Sequence, residues 1–144
     1  KEELLIGMSL TYDALEDCIA MIKDNWAVGT QVPNVKALWK EKAAGFIDDR
    51  RDMVLIYPRK ERIDYFGLYG SDFLHTAVLV IDVRSYGEQE KVDQTVEEIL
   101  RILKANIRRT GFVDVLVKGS ESQSDNLRNM YKHQITVQYR NNYE

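Results

Sequence analysis

The two histidines are the side chains in this chain best suited to acid-base or metal chemistry. His75 and His133 both stand in runs that predict strands, and no second His or Cys lies at ligand spacing from either. A structural zinc site needs four such ligands, so the spacing does not support one. Because His133 shares its strand face with the apolar Ile135 and Val137, a buried or rim histidine with one hydrogen bond is favoured over a catalytic base.

Carboxylates are numerous, and the densest group is the segment "DDRRD" at 48–52. It could bind a cation or a partner, but a solvated loop of mixed charge is the favoured interpretation. A hydrolase that uses Asp49 or Asp82 with a metal is the weakest hypothesis. Phosphate-binding loops, dinucleotide fingerprints and nucleophile elbows are absent from the sequence. We therefore assign no catalytic, cofactor-binding or metal-binding residue and expect no cofactor and no enzymatic activity.

Basic and aromatic residues alternate around the middle of the chain, where they suggest two kinds of contact. Such residues can hold single-stranded nucleic acid by charge and stacking. The chain has no RNA-recognition consensus, however, and aromatic side chains also supply large contact areas between subunits. Trp39 is a possible anchor in a separate loop. The candidate subunit or partner contacts are Trp39, Arg59, Lys60, Arg62, Tyr65, Phe66 and Tyr69.

Composition indicates one globular domain that spans 1–144. The 144 residues are 44% hydrophobic and 30% charged, and a chain of this length can bury a substantial core. The net charge of −3 argues against a protein that coats nucleic acid. Cys18 is the single cysteine and is expected to be a small buried thiol, so nothing indicates secretion. No apolar run is long enough to span a membrane, and we expect a soluble intracellular protein.

Two segments have helical periodicity. In the first, about 11–27, Leu15, Cys18, Ile19, Ile22 and Trp26 share one face, and Thr11 is the expected N-cap. The second is "EQEKVDQTVEEILRILKANIRRTG", which ends at Gly111. Its stripe contains Val92, Val96, Ile99, Leu103 and Ile107, with Leu100 beside them, and a Glu98 to Arg101 pair is expected on it.

The remaining apolar segments predict strands. "MVLIYP" predicts a buried strand that ends at Pro58, and "ERIDYFG" either continues it or forms a hairpin arm. "HTAVLVIDVRSY", "FVDVLVKG" and residues 129–140 predict further strands, whereas about 28–52 predicts a long functional or interfacial loop. The order α-β-β-α-β-β predicts an α+β fold, with a mainly antiparallel sheet and two long helices on one face.

The last strand, "MYKHQITVQYR", separates apolar from polar residues most regularly. One side is wholly polar, and it would face water in a monomer or a lumen in a ring. A dry interface is disfavoured because these adjacent polar side chains would all need hydrogen-bond partners. The members of this candidate lumen or solvent face are Lys132, Gln134, Thr136, Gln138 and Arg140.

Several segments, in this order, resemble the tail-terminator and tail-completion proteins of tailed phages, which join head and tail. They are an N-terminal helix, "VPNVKALW", "VLIYPRK", "FLHTAVLVIDVRSYG", the helix "EQEKVDQTVEEILRILKANI" and "MYKHQITVQYR". The resemblance covers roughly 10–139 and is one of order and texture, without a diagnostic motif.

This resemblance implies a structural virion protein that assembles in the host cytoplasm. It implies a homo-oligomeric ring, commonly a hexamer, that caps the tail tube and joins it to neck or head-completion proteins. DNA would only pass through the lumen, which suits a mildly acidic chain, and no membrane would be involved. The alternative is a ferredoxin-like binding module for RNA or a small ligand.

Overall fold

The structure is a computed structural model that describes residues 6–27, 35–37, 53–66, 72–87, 89–122 and 130–143. Within these ranges there are two helices and five strands. The helices are α1 (Ile6–Asp24) and α2 (Gln89–Ala105). The strands are β1 (Val35–Ala37), β2 (Met53–Phe66), β3 (Asp72–Tyr86), β4 (Asp114–Ser122) and β5 (Met130–Tyr143).

The strands form one sheet in the order β1-β2-β3-β5-β4. The four longer strands are antiparallel, and the short β1 pairs in parallel with Val54–Ile56 at one edge. β5 pairs with β3 along its whole length, from Tyr143 opposite Phe73 to Met130 opposite Tyr86. The α+β fold predicted from the sequence, with a mainly antiparallel sheet and two helices, is therefore confirmed.

Both helices cover the same face of the sheet, and the core lies between them and the strands. On β3 the odd-numbered residues from Ala77 to Val83 are buried in this core, which fits the two-residue period of a strand. α1 contributes Leu15, Cys18 and Ile22, and α2 contributes Val92, Val96, Ile99 and Leu103, so the predicted apolar stripes are the buried ones. Ile19, Trp26 and Leu100 pack against its margin.

α1 begins five residues before the position that the sequence indicated. Thr11 lies within the helix, so its predicted role as N-cap is wrong. The segment before it contains no proline, and extending an existing helix costs little once the first turn has formed. Helix formation therefore continues back to Ile6 even though a good capping residue stands later in the sequence.

α2 ends at Ala105, before the predicted end at Gly111. Asn106 closes the helix, because its side-chain amide donates to the carbonyl of Ile102 at 2.7 Å. Ile107 was expected in the buried stripe, but it lies beyond the helix and is 44% exposed. Gly111 still has a structural reason, since its φ of 91° lies in the left-handed region that glycine adopts without strain.

β2 does not end at Pro58 but continues to Phe66, so of the two alternatives for "ERIDYFG" the continuation of the strand is the one found. The pairing with β3 shifts between Pro58 and Lys60, so Arg59 is the extra residue of a β-bulge. A bulge lets a strand pass a residue that cannot donate to the ladder. The predicted loop at 28–52 also differs in part, because Val35–Ala37 forms β1, and the rest of that segment lies outside the described residues.

The predicted Glu98 to Arg101 pair is present, but it is not a simple surface pair. Arg101 donates to both carboxylate oxygens of Glu98 at 2.7 Å, and the Glu98 side chain is 1% exposed. The same carboxylate accepts the backbone N–H of Ala27 at 2.7 Å, and Arg101 also donates to the carbonyl of Asn25 at 2.9 Å. The pair therefore joins α2 to the chain that leaves α1.

We expect Glu98→Ala to lower the free energy of unfolding by roughly 2 kcal/mol, because hydrogen bonds to charged groups are among the stronger ones. Ala27 would lose its acceptor in a partly buried position. The neighbouring and exposed Glu97 is a matched control, and Glu97→Ala should cost less than about 0.5 kcal/mol. Urea denaturation of both variants measures the difference; equal effects would show that the Glu98 hydrogen bonds contribute nothing specific.

Candidate functional site

The face of the sheet opposite the helices, here called the outer face, gathers most of the polar residues in the sheet. Register places side chains from β2, β3, β5 and β4 side by side on it, because directly paired residues point to the same side. Its members are Leu55, Tyr57, Lys60, Arg62, Thr76, Val78, Val80, Asp82, Arg84, Asp114, Leu116, Glu121, Lys132, Gln134, Thr136, Gln138 and Arg140.

The predicted lumen or solvent residues of β5 all belong to this outer face. Lys132, Gln134, Thr136, Gln138 and Arg140 alternate with the buried Ile135, Val137 and Tyr139, and each is half-buried. Beside them, Thr76, Val78, Val80 and Asp82 of the central β3 are nearly inaccessible. The outer face therefore has a covered middle and longer polar side chains around it.

A polar cluster on this face is centred on Asp82, whose side chain is 2% exposed. One carboxylate oxygen, Oδ2, accepts hydrogen bonds from Nε and Nη2 of Arg84 at 3.2 and 3.0 Å. The other oxygen, Oδ1, is buried and accepts no hydrogen bond from the described part of the protein. Next to this pair, Gln134 donates to the hydroxyl of Tyr57 at 3.2 Å.

The charges in this cluster act on the Tyr57 hydroxyl. Burial raises the pKa of Tyr57, and the Asp82 carboxylate raises it further, whereas Arg84 and Arg59 oppose the rise. The hydroxyl therefore stays protonated at neutral pH and can both accept from Gln134 and donate. This arrangement can bind a polar group by hydrogen bonds, but it places no nucleophile next to a base.

A second ion pair lies at the other end of the outer face. Arg140 on β5 donates through both Nε and Nη2 to the carboxylate of Asp114 on β4, directly opposite in the register. These hydrogen bonds raise the pKa of the Arg140 guanidinium. The planar two-point geometry fixes both side chains, so this end is also ordered by contacts within the chain.

The predicted basic contacts lie at this same end. Because of the bulge at Arg59, Lys60 and Arg62 join the outer face opposite Val78 and Thr76, and all three basic side chains are exposed. Tyr65 and Phe66 lie at the end of β2. Trp39 and Tyr69 lie outside the described residues, so the structure brings together only the basic part of the predicted set.

A network on the helix side of the sheet has no counterpart among the sequence predictions. The carboxylate of Asp17 on α1 accepts hydrogen bonds from Nε and Nη2 of Arg109, the shortest at 2.8 Å. It also accepts one from the hydroxyl of Tyr139 at 2.9 Å. Phe112 packs edge-on against Tyr139 with ring centroids 4.8 Å apart. The network therefore connects α1, the turn after α2, and β5.

Burial controls the ionisation of the groups in this network. It raises the pKa of the Cys18 thiol from 9.0 to about 12, with the Asp17 carboxylate adding to the rise. Burial also raises the pKa of Tyr139, and negative charge on Cys18 or Asp17 raises it further. Both groups are thus neutral near pH 7, so Cys18 is an unreactive buried thiol, as the sequence suggested.

Within the described residues, His133 makes the one hydrogen bond that is expected of a rim histidine. Its Nε2 lies 2.5 Å from the hydroxyl of Ser120 on the neighbouring strand, in an exposed position. A Ser–His contact alone does not make a catalytic site, because nucleophilic catalysis also requires a group that orients the histidine and a site that stabilises the oxyanion. His75 is buried on β3 and does not approach this pair.

The remaining features of the described residues add no further site. No group of three or more His, Cys, Asp or Glu side chains within those ranges is arranged to hold a metal ion. A depression at the start of α2 is open and is lined by Gln89, Glu90, Lys91 and Gln94. Neither helix in this part of the chain has the length and apolarity to cross a membrane. No protein-family model matches the chain, and no curated protein matches it significantly.

Proposed function

We propose that this protein is a structural component of a phage-type tail. It forms a ring at the head-proximal end, caps the tail tube and joins it to the neck or head-completion proteins, without enzymatic activity. The proposal starts from the similarity of segment order to tail-terminator proteins. The α-β-β-α-β-β order, with both helices on one face of the sheet, supports it because the half-buried polar side chains around the opposite face are left for assembly.

The outer face is the observation that carries the proposal. Two of its arginines are held by carboxylates on the same face, Arg84 by Asp82 and Arg140 by Asp114. A polar surface whose side chains are already ordered loses little conformational entropy on contact. It can therefore line a lumen that remains in water, or meet a polar surface of a neighbouring copy.

The net charge of −3 supports the same role. Non-specific affinity for DNA comes mainly from neutralising phosphates, which requires a basic excess. A ring of mildly acidic copies allows DNA to pass without holding it.

Sedimentation of the purified chain over a wide concentration range tests the proposal. We expect one discrete oligomer, commonly a hexamer in the proteins that this chain resembles, and electron microscopy should show rings with a central hole. A chain that stays monomeric at every concentration, also when tail-tube protein is added, would rule the proposal out.

A binding module for RNA or a small ligand is the second candidate. The observation that favours it is the position of Lys60 and Arg62 on the same end of the outer face as Arg140. Titration with a short fluorescent single-stranded RNA distinguishes the two functions. Tight binding that weakens steeply with salt, and that Lys60→Ala and Arg62→Ala abolish, would favour the module. Weak binding that these changes leave unaltered would reject it.

A further inference from the structure

Two oppositely charged surfaces lie at opposite ends of the described body. The first, here called the basic segment, consists of Arg59, Lys60 and Arg62 on β2, all exposed, with Glu61 between them as the one opposing charge. The second, here called the acidic ridge, consists of Glu90, Asp93 and Glu97 on α2, also all exposed, with Lys91 as its opposing charge. Each surface keeps a clear excess of one sign.

The two surfaces have similar lengths. The three acidic residues of α2 follow one another at three- and four-residue intervals, which puts them on one side of the helix. They span about 10 Å along its axis at 1.5 Å per residue. Arg59 to Arg62 also span about 10 Å along β2 at 3.3 Å per residue. The charges of one surface can therefore lie against those of the other over their full length.

One copy of the chain cannot bring these surfaces together. Arg62 pairs with Thr76 near the start of β3, whereas α2 begins just after β3 ends at Tyr86. Along β3, Arg62 is about 30 Å from the end of the strand before α2, at 3.3 Å per residue. The ridge extends about 10 Å along α2, so its far end at Glu97 is still about 20 Å or more from Arg62. At physiological salt, charges that far apart are almost completely screened from each other.

The basic segment also lies on an open edge of the described sheet. β1 pairs only with Val54–Ile56, so from Tyr57 onward β2 has a strand on one side within the described residues. Charged side chains on an open edge oppose the addition of another strand, and they favour a partner surface of opposite charge over one of like charge. The basic side chains thus select for a negative surface.

We infer that the basic segment of one copy binds the acidic ridge of the next. This inference rests on the proposed function and specifies which surfaces form the ring. The contact joins two different surfaces, so it is heterologous: repeated from copy to copy, it gives a ring when its rotation closes on itself and an open filament when it does not, and it does not give a two-fold dimer. The occupant of each surface is a second copy of the same chain.

Charge reversal on one surface at a time tests the contact. The acid-edge variant carries Lys60→Glu and Arg62→Glu, and the basic-ridge variant carries Asp93→Lys and Glu97→Lys. In either variant alone, like charges meet at every contact, and we expect the apparent association constant to fall about tenfold or more. All four positions are exposed, so the folded state should persist.

An equimolar mixture of the two variants is the decisive sample. In an alternating ring, every acidic edge meets a basic ridge and every basic edge meets an acidic ridge, so assembly should return to near the wild-type level. Matched controls carry the same charge changes elsewhere: Lys104→Glu with Lys118→Glu, and Asp13→Lys with Asp24→Lys. These four positions are also exposed, and the controls should assemble like wild type.

The outcomes separate this inference from the proposed function. If wild type forms rings but the variants assemble equally well, or if the mixture stays unassembled, the assigned contact is wrong and the ring proposal stands. If wild type never assembles, the proposed function fails and the inference fails with it. Weak variants, a restored mixture and unaffected controls together support the contact.

Discussion

Asp17→Ala is expected to lower the free energy of unfolding by about 3 kcal/mol, because a buried hydrogen-bonding group that loses its partner is costly. The Tyr139 hydroxyl would lose the carboxylate it donates to, on a side chain that is 0% exposed. Arg109 would lose the same carboxylate, but its side chain is 23% exposed and water would replace part of the contact. Most of the loss therefore comes from the tyrosine.

Urea denaturation measures this change as a lower midpoint with an unchanged slope. Tyr139→Phe is the matched variant, since it removes only the hydroxyl and should cost about 1 kcal/mol. Asp13→Ala, at an exposed position of the same helix, is the control and should have little effect. A loss for Asp17→Ala no larger than that of the control would show that the network does not stabilise the fold.

Alkaline pH is expected to destabilise the protein strongly. Folding raises the pKa of Cys18 from 9.0 to about 12, so the folded state keeps the thiol protonated while the unfolded state ionises it. Stability from this group is complete below pH 9 and is lost as the pH rises towards 12. The loss approaches about 1.4 kcal/mol per pH unit. Tyr139, whose pKa is also raised, adds to it above its ordinary value.

Denaturation at neutral pH and at several values above pH 9 measures the effect. Cys18→Ala removes the contribution of the thiol, so its stability should fall less steeply over that range even though the variant is less stable at neutral pH. The thiol of the wild type should also react with a disulfide reagent only after denaturant is added. A free energy of unfolding that does not change at alkaline pH would contradict both the burial of Cys18 and the raised pKa that this burial causes.

The helices and the polarity of the sheet could be predicted because their causes are local. A stripe such as Leu15, Cys18 and Ile22 follows from helical period, and it is buried as expected. The alternation from Lys132 to Arg140 likewise defined the outer face. In both cases the side chains concerned lie within a few residues of one another, so the sequence pattern is enough to place them.

The hydrogen-bond network around Asp17 could not be predicted, because its members are distant in sequence. Arg109 and Tyr139 follow Asp17 by 92 and 122 residues, and each resembles an ordinary surface or strand residue when considered alone. Asp82 is a similar case, since only the pairing of β3 with its neighbours explains why a charged residue is buried there. Tertiary register, rather than local pattern, determines these positions.

The boundaries failed for a different reason. Pro58 favours the end of a strand, and the bulge that allows β2 to continue depends on its partner β3. Val35–Ala37 is too short to have a recognisable period, and it becomes a strand only because Val54–Ile56 offers an edge to pair with. In both cases pairing with a neighbouring strand overrode the local preference of the residues and moved the boundary.

The single inserted residue Arg59 fixes the chemical character of the far half of β2. Before it, odd-numbered residues such as Leu55 and Tyr57 lie on the outer face, and after it the even-numbered Lys60 and Arg62 do. If the bulge were lost while Arg59 stayed in the chain, Arg59 would pair with Val78, and Lys60 and Arg62 would turn towards the side that carries the helices. Deleting Arg59 would instead leave both cations on the outer face, so the extra residue, rather than the composition, decides which side of the sheet carries this charge.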